Sequence, residues 1–203
     1  MTNLLSVIIL SYIVGSIPAS VIISKIFANT DIREYGSGNP GAANVYRTVG
    51  RSAGAFTAFF DLFKGAASAI WIARISYDIH LFENETVSFI AGGAAVLGHI
   101  FSIFLKFKGG KGVAAAAGVF FVMTPIAAAI SLIIFVSVII ITKISSLGSL
   151  ISTCLTPFIL FVMSFYTDIP KNAICFAIFI ALLILFAHRK NIGRIIKGKE
   201  NRI

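Results

Sequence analysis

Residues 4–23 read LLSVIILSYIVGSIPASVII, a run of twenty residues without a charged side chain. The hydrocarbon core of a bilayer is about 30 Å thick, and an α-helix of about 20 apolar residues crosses it. The run therefore predicts a membrane-spanning helix. No positive residue precedes it, so it lacks the basic front end of a secretory signal peptide, and we expect it to remain attached.

The composition of the whole chain agrees with a membrane protein. Of its 203 residues, 58% are hydrophobic and 12% are charged, whereas soluble domains average about 45–50% apolar and about 25% charged residues. The net charge is +9, but the sequence has no solvated basic domain long enough to bind nucleic acid. We therefore exclude an ordinary soluble domain and a nucleic-acid partner, and we predict a single membrane domain over residues 1–203.

Six further apolar stretches follow the first one. They cover residues 53–73, 86–105, two parts of 113–141, 147–166 and 173–187. The run 113–141 is interrupted at Thr124-Pro125, and the residue before a proline is disfavoured in a helix. This interruption suits a hairpin of two helices, of which the first is short and rich in alanine. The sequence predicts an all-α integral membrane protein with about seven transmembrane helices.

The positively charged residues predict how these helices are oriented. Thirteen Lys and Arg residues fall in the loops on one side of the predicted bundle, against one on the other side. The first set of loops comprises 28–51, 106–112, the turn near 143 and the tail from 188; the second comprises 77–85, 124 and 167–171. Because loops rich in Lys and Arg face the cytoplasm, we expect an outward amino terminus and a cytoplasmic carboxy terminus.

The first chemically unusual loop reads YGSGNPGAAN over residues 35–44 and is followed by Arg47. Its glycines allow positive φ angles and close approach to a ligand. Successive N–H groups in such a turn bind anions, and an arginine adds a bidentate fork. The spacing matches G-x-G-x-x-G, but no strand precedes it, so a dinucleotide site is excluded. The alternative is a flexible turn. The candidate residues are Gly36, Ser37, Gly38, Asn39, Gly41, Asn44 and Arg47.

The second unusual loop reads KFKGGKG over residues 106–112. It is not a Walker A loop, because that motif needs Gly where Leu105 stands and Ser or Thr where Gly112 stands. If Gly112 opens a helix, the helix dipole and first N–H groups strengthen anion binding. The alternative is ordinary anchoring of lysines at the cytoplasmic surface. The candidate residues are Lys108, Gly109, Gly110, Lys111 and Gly112.

The third segment reads HRKNIGR over residues 188–194. His188 and Asn191 are three residues apart and share one face if the helix continues. An imidazole and an amide can bind a hydroxyl or a phosphate there. The alternatives are a packing histidine and cations that meet anionic lipid headgroups.

Two polar features fall within predicted spans. Asp61 and Lys64 can pair with each other, although ionisable residues at this depth also indicate function. His99 ends a run of small residues that predicts close helix packing. The sequence contains no metal-ligand cluster, and its two cysteines fit neither a metal site nor a disulfide framework, so we expect no metal.

Two anion-binding loops on one membrane face suggest that two anionic groups are brought together. These loops contain no carboxylate pair for hydrolytic acid–base chemistry. Positioning and electrostatic stabilisation are then the main catalytic resources, which suits an already activated substrate. The alternatives are a transporter or channel for an anionic metabolite, although no inverted repeat is evident, and a membrane phosphatase or phosphotransferase.

The sequence resembles a known family at five places. The motifs that carry the resemblance are YxxGSIP (12–18), GSGNPGAANxxR (36–47), DxxKG (61–65), GHIF (98–101) with FKGGKGV (107–113), and HxxNIxR (188–194). Together, and in this order, they are similar to the bacterial acyl-phosphate-dependent glycerol-3-phosphate acyltransferases over nearly the whole chain. The sequence departs from the family pattern at Ala43 and Ala115, where Thr is common, and at Ser102, where Pro is common.

The resemblance implies transfer of a fatty acyl group from acyl phosphate to the 1-hydroxyl of sn-glycerol 3-phosphate. The products are lysophosphatidic acid and inorganic phosphate, in the first acylation step of phospholipid synthesis. It further implies a multi-pass protein of the bacterial plasma (inner) membrane with a cytoplasmic active site, no cofactor and no obligate protein partner. No histidine of this chain begins the His-x4-Asp motif of other acyltransferases.

The matching positions give a physical hypothesis for the reaction. Lys111 and loop N–H groups hold one phosphate, and Arg47, with His188 and Asn191, holds the other. Ser37 donates a hydrogen bond to the developing oxyanion. The general base is either His188 or an oxygen of the substrate phosphate.

Overall fold

The computed structural model describes residues 2–75, 84–170 and 172–203, and every regular element in these ranges is helical. The all-α prediction is therefore confirmed for this part of the chain. The α-helices are α1 Thr2–Ser16, α2 Ala19–Ala28, α3 Ala42–Thr48, α4 Arg51–Ala67, α5 Asn84–Ile100, α6 Val113–Met123, α7 Pro125–Thr142, α8 Ser145–Met163, α9 Ala173–Ala187 and α10 Arg189–Ile196. Helix α4 runs on through a π-helical turn, Ser68–Ile72, into Ala73–Ile75, and 3₁₀ turns lie at Ile32–Glu34 and Ile103–Leu105.

Five helical segments of the described chain are long and apolar enough to cross a membrane, or six if one bent pair is a single span. The five are Leu4–Ala28, Arg51–Ile75, Asn84–Leu105, Pro125–Thr142 and Ser145–Met163, and the bent pair is α9 with α10. Helix α6 has 11 residues and rises about 17 Å, well short of the hydrocarbon core.

The seven-helix count and the orientation of the termini stay predictions. Residues 76–83, which make up most of the predicted outer loop 77–85, lie outside the described residues. Lys171, the positive residue assigned to the opposite loops, lies outside them too.

Prolines set two of the helix boundaries. The predicted span 4–23 forms two helices, because Pro18 lacks an N–H and disfavours a helical conformation at Ile17. The predicted break in 113–141 is confirmed at Thr124, whose φ of −144° ends α6, and Pro125 occupies the first position of α7, where the fixed proline φ suits a helix start.

The chain divides into two compact units, Met1–Val119 and Phe120–Ile203. In the first unit, α1 packs closely on α5. A Cβ at Gly15 would collide with the backbone of Ala95, and one at Gly98 would collide with the carbonyl oxygen of Tyr12. The close packing predicted for the small residues of α5 is confirmed. The single domain over 1–203 stays a prediction.

An apolar cluster fixes the segment that leads into the first glycine-rich loop. Ile32 and Val45 are fully buried, and they pack with residues of α2, with Ala53 of α4 and with Leu105. Burial of two such side chains contributes roughly 3–6 kcal/mol. The loop between Ile32 and Val45 is therefore held at both ends by the hydrophobic core.

The second unit contains the hairpin of α7 and α8 and the chain from α9 onward. Lys143 turns the hairpin with a left-handed φ of 60°, and the hydroxyls of Ser131 and Thr156 lie 2.9 Å apart between the two helices. The carboxy-terminal tail returns to this turn, where the N–H of Ile203 donates to the carbonyl of Lys143 at 2.8 Å.

Candidate active site

The first loop is organised by the side chain of Asn44, which is 1% exposed. Its Oδ1 accepts from the N–H of Ser37 at 3.0 Å. Its Nδ2 donates to the carbonyls of Tyr35, at 2.9 Å, and Ile32, at 3.2 Å. Asn44 therefore has a role within the loop, and its predicted contact with substrate stays a prediction.

Two glycines give the first loop its shape. Gly36 and Gly38 have φ angles of 59° and 68°, a left-handed conformation that is costly for other residues. A Cβ at Gly36 would also collide with Oδ1 of Asn44. The predicted need for glycine here is confirmed at these two positions, whereas Gly41, with a φ of −150°, has an extended backbone open to any residue.

Two polar side chains of the first loop, those of Ser37 and Arg47, are candidates for contact with substrate. The hydroxyl of Ser37 accepts weakly from the N–H of Asn39, at 3.5 Å, and a hydroxyl that accepts can still donate its own proton. Arg47 lies in the last turn of α3 and is half-buried. This arrangement gives the loop one hydroxyl donor and one guanidinium, both predicted to act on substrate.

The second loop packs against the carboxy-terminal end of α5. The N–H of Gly109 donates to the carbonyl of Ile100, and that of Gly110 to the carbonyl of His99, both at 3.0 Å. A Cβ at Gly109 would collide with the carbonyl oxygen of His99. Because these two N–H groups already donate to backbone carbonyls, they are not assigned to a substrate. The binding role of Gly109 and Gly110 stays a prediction, which rests on the close approach of a substrate that glycine allows.

The amino terminus of α6 follows directly. Gly112 has a φ of 83°, and α6 begins at Val113. The expectation that Gly112 leads into a helix is therefore confirmed. The first N–H groups of a helix have no partner within it and, with the helix dipole, favour an anion. Lys111, half-buried, precedes this terminus, and Lys108 is exposed.

The structure brings the two glycine-rich loops together. A Cβ at Gly110 would lie 2.9 Å from the carbonyl oxygen of Pro40, and both residues are buried. Both also line a small cavity, open in part to solvent, with Asp61, Lys64 and His99. Residues 70 positions apart in sequence therefore lie close together, whereas a binding role for the two loops stays a prediction.

A buried ionic cluster also lines that cavity. Nζ of Lys64 lies 2.9 Å from Oδ1 of Asp61, which confirms their predicted pairing. Nδ1 of His99 lies 3.3 Å from the same oxygen. This second contact could not be predicted from the sequence, because Asp61 and His99 are 38 residues apart in different helices and nothing in that spacing shows that the helices are neighbours.

Two serines join the end of α1 to the last turn of α5 and to the residues that follow it. The hydroxyl of Ser16 donates to the carbonyl of Gly98 at 3.2 Å, and that of Ser102 to the carbonyl of Ser16 at 2.6 Å. Ser102 is the position at which the family pattern commonly has proline. The hydrogen bond from Ser102 to Ser16 fixes the backbone shortly before the second loop.

The third segment lies in the second unit. His188 is 1% exposed, and its Nδ1 lies 2.9 Å from the carbonyl of Ile184. The expectation of one continuous helix face for His188 and Asn191 needs correction, because the chain bends by 65° between α9 and α10. The bend arises at His188, whose φ and ψ of −92° and 5° are not those of an α-helix.

Glu200 organises this segment, a role that was not predicted from the sequence. It accepts hydrogen bonds from Nδ2 of Asn191 at 2.5 Å, from Nε of Arg194 at 2.7 Å and from the hydroxyl of Ser146 at 3.0 Å. Burial alone would raise the pKa of Glu200, but the hydrogen bonds from Arg194, Asn191 and Ser146 lower it. The available signal was that Glu200 is the one acidic residue after position 188.

The site residues are thus distributed over two parts of the fold. Ser37, Arg47 and Lys111 belong to the first unit, and His188 and Asn191 to the second. Their joint action on two substrates stays a prediction. Among the residues that the structure describes, no three His, Cys, Asp or Glu side chains are grouped so that they could hold a metal ion.

The chain is similar to glycerol-3-phosphate acyltransferases. Residues 5–198 match the family model described as Glycerol-3-phosphate acyltransferase. The chain is 40% identical over 197 residues to glycerol-3-phosphate acyltransferase 2 of Bacillus anthracis, with 97% of each chain covered. It is 40% identical over 208 residues to glycerol-3-phosphate acyltransferase of Staphylococcus carnosus strain TM300, covering 97% of this chain and 96% of the relative.

The fold is similar to crystal structures of PlsY (YgiH), an integral membrane glycerol 3-phosphate acyltransferase. The glycerol 3-phosphate form gives a TM-score of 0.86 at 38% identity, covering 98% of this chain and 95% of that one. The lysophosphatidic acid form gives a TM-score of 0.84 at 36% identity with the same coverage. The matched region includes both glycine-rich loops and the segment 188–194.

Proposed function

Because this chain belongs to the glycerol-3-phosphate acyltransferase family, we propose that it transfers a fatty acyl group from acyl phosphate to the 1-hydroxyl of sn-glycerol 3-phosphate. The products are lysophosphatidic acid and inorganic phosphate. The observation that carries the proposal is the contact of the two glycine-rich loops at Pro40 and Gly110. It supports a site in which two phosphate-bearing reactants are held side by side.

The reaction needs no covalent intermediate on the protein. The hydroxyl oxygen of glycerol 3-phosphate attacks the carbonyl carbon of the mixed anhydride. The bond from that carbon to the phosphate oxygen then breaks, and phosphate departs with the electron pair. Since phosphate is already a competent leaving group, prealignment and charge stabilisation supply most of the rate enhancement.

The cationic side chains are assigned to the two phosphates. Lys111, with the first N–H groups of α6, holds one of them. Arg47 holds the other through its planar, bidentate fork. His188 and Asn191 are further candidates for contact with substrate. The hydroxyl of Ser37 donates to the oxyanion that develops on the acyl carbonyl. The acyl chain itself lies along the apolar helices.

The proton of the attacking hydroxyl is assigned either to His188 or to an oxygen of the substrate phosphate. Nδ1 of His188 faces the carbonyl oxygen of Ile184, and a carbonyl can only accept. Nδ1 therefore carries the proton of the neutral ring. Glu200 accepts a hydrogen bond from Nδ2 of Asn191, three residues further along.

The reaction takes place on the cytoplasmic side of a bacterial inner membrane. The support is the excess of thirteen positive residues over one in the loops assigned to that side. A basic surface attracts the anionic, water-soluble glycerol 3-phosphate, and the lipid product can enter the adjoining membrane.

The test is an assay of the purified chain in liposomes with labelled glycerol 3-phosphate. Acyl phosphate and acyl thioesters of the same chain length are offered as donors in parallel. We expect labelled lysophosphatidic acid from acyl phosphate alone. Product from the thioesters would overturn the donor assignment. Uptake of label without product would favour a transporter, and phosphate release without acyl transfer would favour a phosphatase.

The site assignment is tested with matched pairs of variants. Arg47→Ala and Lys111→Ala should each reduce turnover by at least a hundredfold, because a charge-assisted contact to substrate is lost. Arg51→Ala and Lys106→Ala are the controls, since both side chains are exposed and carry the same charge a few residues away. Near-normal turnover in either of the first two variants would contradict the assignment.

A further inference from the structure

The buried ionic cluster of Asp61, Lys64 and His99 has no part in the reaction described so far. The three side chains are 2%, 6% and 7% exposed, respectively. Two of them lie in helix α4 and one at the end of α5, within segments apolar enough to span a membrane. Burial of charged groups in such surroundings costs free energy. Apolar residues of similar volume often give a protein the same stability as a buried ion pair, so stability alone does not explain the cluster.

His99 connects this cluster to the second glycine-rich loop by two routes. One edge of its ring faces Asp61, with Nδ1 3.3 Å from the carboxylate. The second ring nitrogen, Nε2, lies against Gly110, where an added Cβ would collide with it. The carbonyl of His99 also accepts from the N–H of Gly110 at 3.0 Å. A displacement of the ring would therefore displace the loop.

Lys64 connects the cluster to the break between α1 and α2. Its Nζ lies 2.9 Å from Asp61 and donates to the carbonyl of Ile17 at 3.1 Å. Asp61 thus lies between the Lys64 ammonium group and the His99 ring, of which the first is directed toward the helix break and the second toward the loop.

Pro40 and Gly110 meet at the end of this chain of contacts. The carbonyl oxygen of Pro40 and Nε2 of His99 are both close to the place where a side chain at Gly110 would begin. The His99 ring therefore lies beside the place at which the two loops approach each other.

We propose that Asp61, through His99, positions the Gly109-Gly110 turn against Pro40 and thereby aligns the two substrate-binding loops. Asp61, Lys64 and His99 are positioning residues and touch neither reactant. The proposal rests on the proposed function, since it concerns the alignment of those binding loops. A purely structural role would lower the amount of folded protein without changing the affinity of the folded fraction for substrate.

The first test replaces His99 so that one edge of the ring is lost at a time. His99→Asn keeps a polar atom near Asp61 but does not reach Gly110, and His99→Gln reaches Gly110 but loses the Nδ1 position. For each variant we expect a KM at least tenfold higher for one of the two substrates. Thr57→Val is the matched control, because Thr57 is equally buried in α4 and its hydroxyl bonds only within that helix, to Ala53.

The second test is a double-mutant cycle between His99 and Gly110. Gly110→Ala places a methyl group against Nε2 of the native ring and 2.9 Å from the carbonyl oxygen of Pro40. The shorter side chain of His99→Asn removes the first of these two contacts and leaves the second unchanged. The loss of kcat/KM caused by Gly110→Ala should be at least tenfold smaller in the His99→Asn background. Residues that share a contact are non-additive in this way. Additive losses would overturn the proposal.

The third test removes charge without leaving an unpaired ion. Asp61→Asn alone leaves Lys64 buried without its partner and risks loss of folding. Asp61→Asn combined with Lys64→Gln removes both charges and keeps an amide that can donate to Ile17. We expect folded protein with a KM at least tenfold higher for one substrate.

These outcomes separate the two proposals. If the unaltered chain makes no lysophosphatidic acid, the proposed function fails. If it makes the product and the His99 and Asp61 variants keep both KM values within twofold, only the positioning proposal fails. A loss of thermal stability with unchanged KM values would likewise overturn it.

Discussion

Oδ1 of Asn44 accepts a hydrogen bond of 3.0 Å from the N–H of Ser37, so a buried amide in α3 fixes the backbone of the residue assigned to the oxyanion. The same side chain donates to two carbonyls of the preceding segment. Three backbone groups of the loop thus depend on one residue.

Asn44→Ala should lower the free energy of unfolding by about 2–4 kcal/mol, because it orphans those three groups and each lost hydrogen bond costs about 1 kcal/mol or more when buried. Thermal unfolding in detergent measures the change. Thr48→Ala, at an exposed residue whose hydroxyl bonds within its own helix to the carbonyl of Asn44, should change stability by less than about 0.5 kcal/mol. Equal effects of the two variants would show that the amide does not hold the loop.

Gly36 and Gly193 should respond in opposite ways to alanine. Gly36 has a φ of 59°, and an added Cβ would collide with Asn44, so Gly36→Ala should cost at least about 1–2 kcal/mol. Gly193 lies in α10 with nothing within 4 Å of an added Cβ, so Gly193→Ala should stabilise by up to about 1 kcal/mol through helix propensity. Melting temperatures compared side by side measure both, and a stable Gly36→Ala variant would contradict the loop geometry.

Local signals in the sequence account for much of the fold. The break at Thr124-Pro125 and the close packing at Gly98 follow from properties of the residues themselves, namely the restricted backbone before proline and the missing side chain of glycine. Gly36 and Gly38 are similarly local, since their positive φ angles need no distant partner. These features could be predicted without knowledge of which helices are neighbours.

Long-range partners could not be predicted in the same way. The contact of His99 with Asp61 joins two helices whose adjacency no spacing encodes. Glu200 approaches Asn191 because the tail turns back after α10, where Gly198 has a φ of 64°. The break at Pro18 was visible in the sequence, but the hydropathy of 4–23 alone gave one helix where the structure has two.

The contribution of Glu200 to stability should depend on pH. Hydrogen bonds hold its folded pKa below the ordinary value of 4.5. Its stabilising effect is then fully present above pH 4.5 and is lost as the pH falls through the lower, folded value. Glu200→Gln should therefore lower the free energy of unfolding by about 1.5–3 kcal/mol near pH 7, as expected for hydrogen bonds to a charged group.

Unfolding of the unaltered chain and of Glu200→Gln, followed from pH 7 down to pH 3.5, measures this dependence. The difference between the two should shrink below pH 4.5. Glu34→Gln is the control, because Glu34 is an exposed acidic residue. A difference that stays constant over the whole range would mean that the carboxylate charge of Glu200 is not what stabilises the tail.

The orientation of the chain can be tested with single cysteines introduced at exposed ends of helices. Cys154 and Cys175 are first replaced by Ser, so that no native thiol reacts. The variants are expressed in cells and treated with a membrane-impermeant thiol reagent. Asn84→Cys should be labelled in intact cells, because Asn84 begins α5 on the side predicted to face outward. Lys199→Cys, in the exposed basic tail, should be labelled only after the membrane is made permeable. The reverse pattern would place the glycine-rich loops outside the cell, and labelling of both sites in intact cells would contradict an odd number of spans between them.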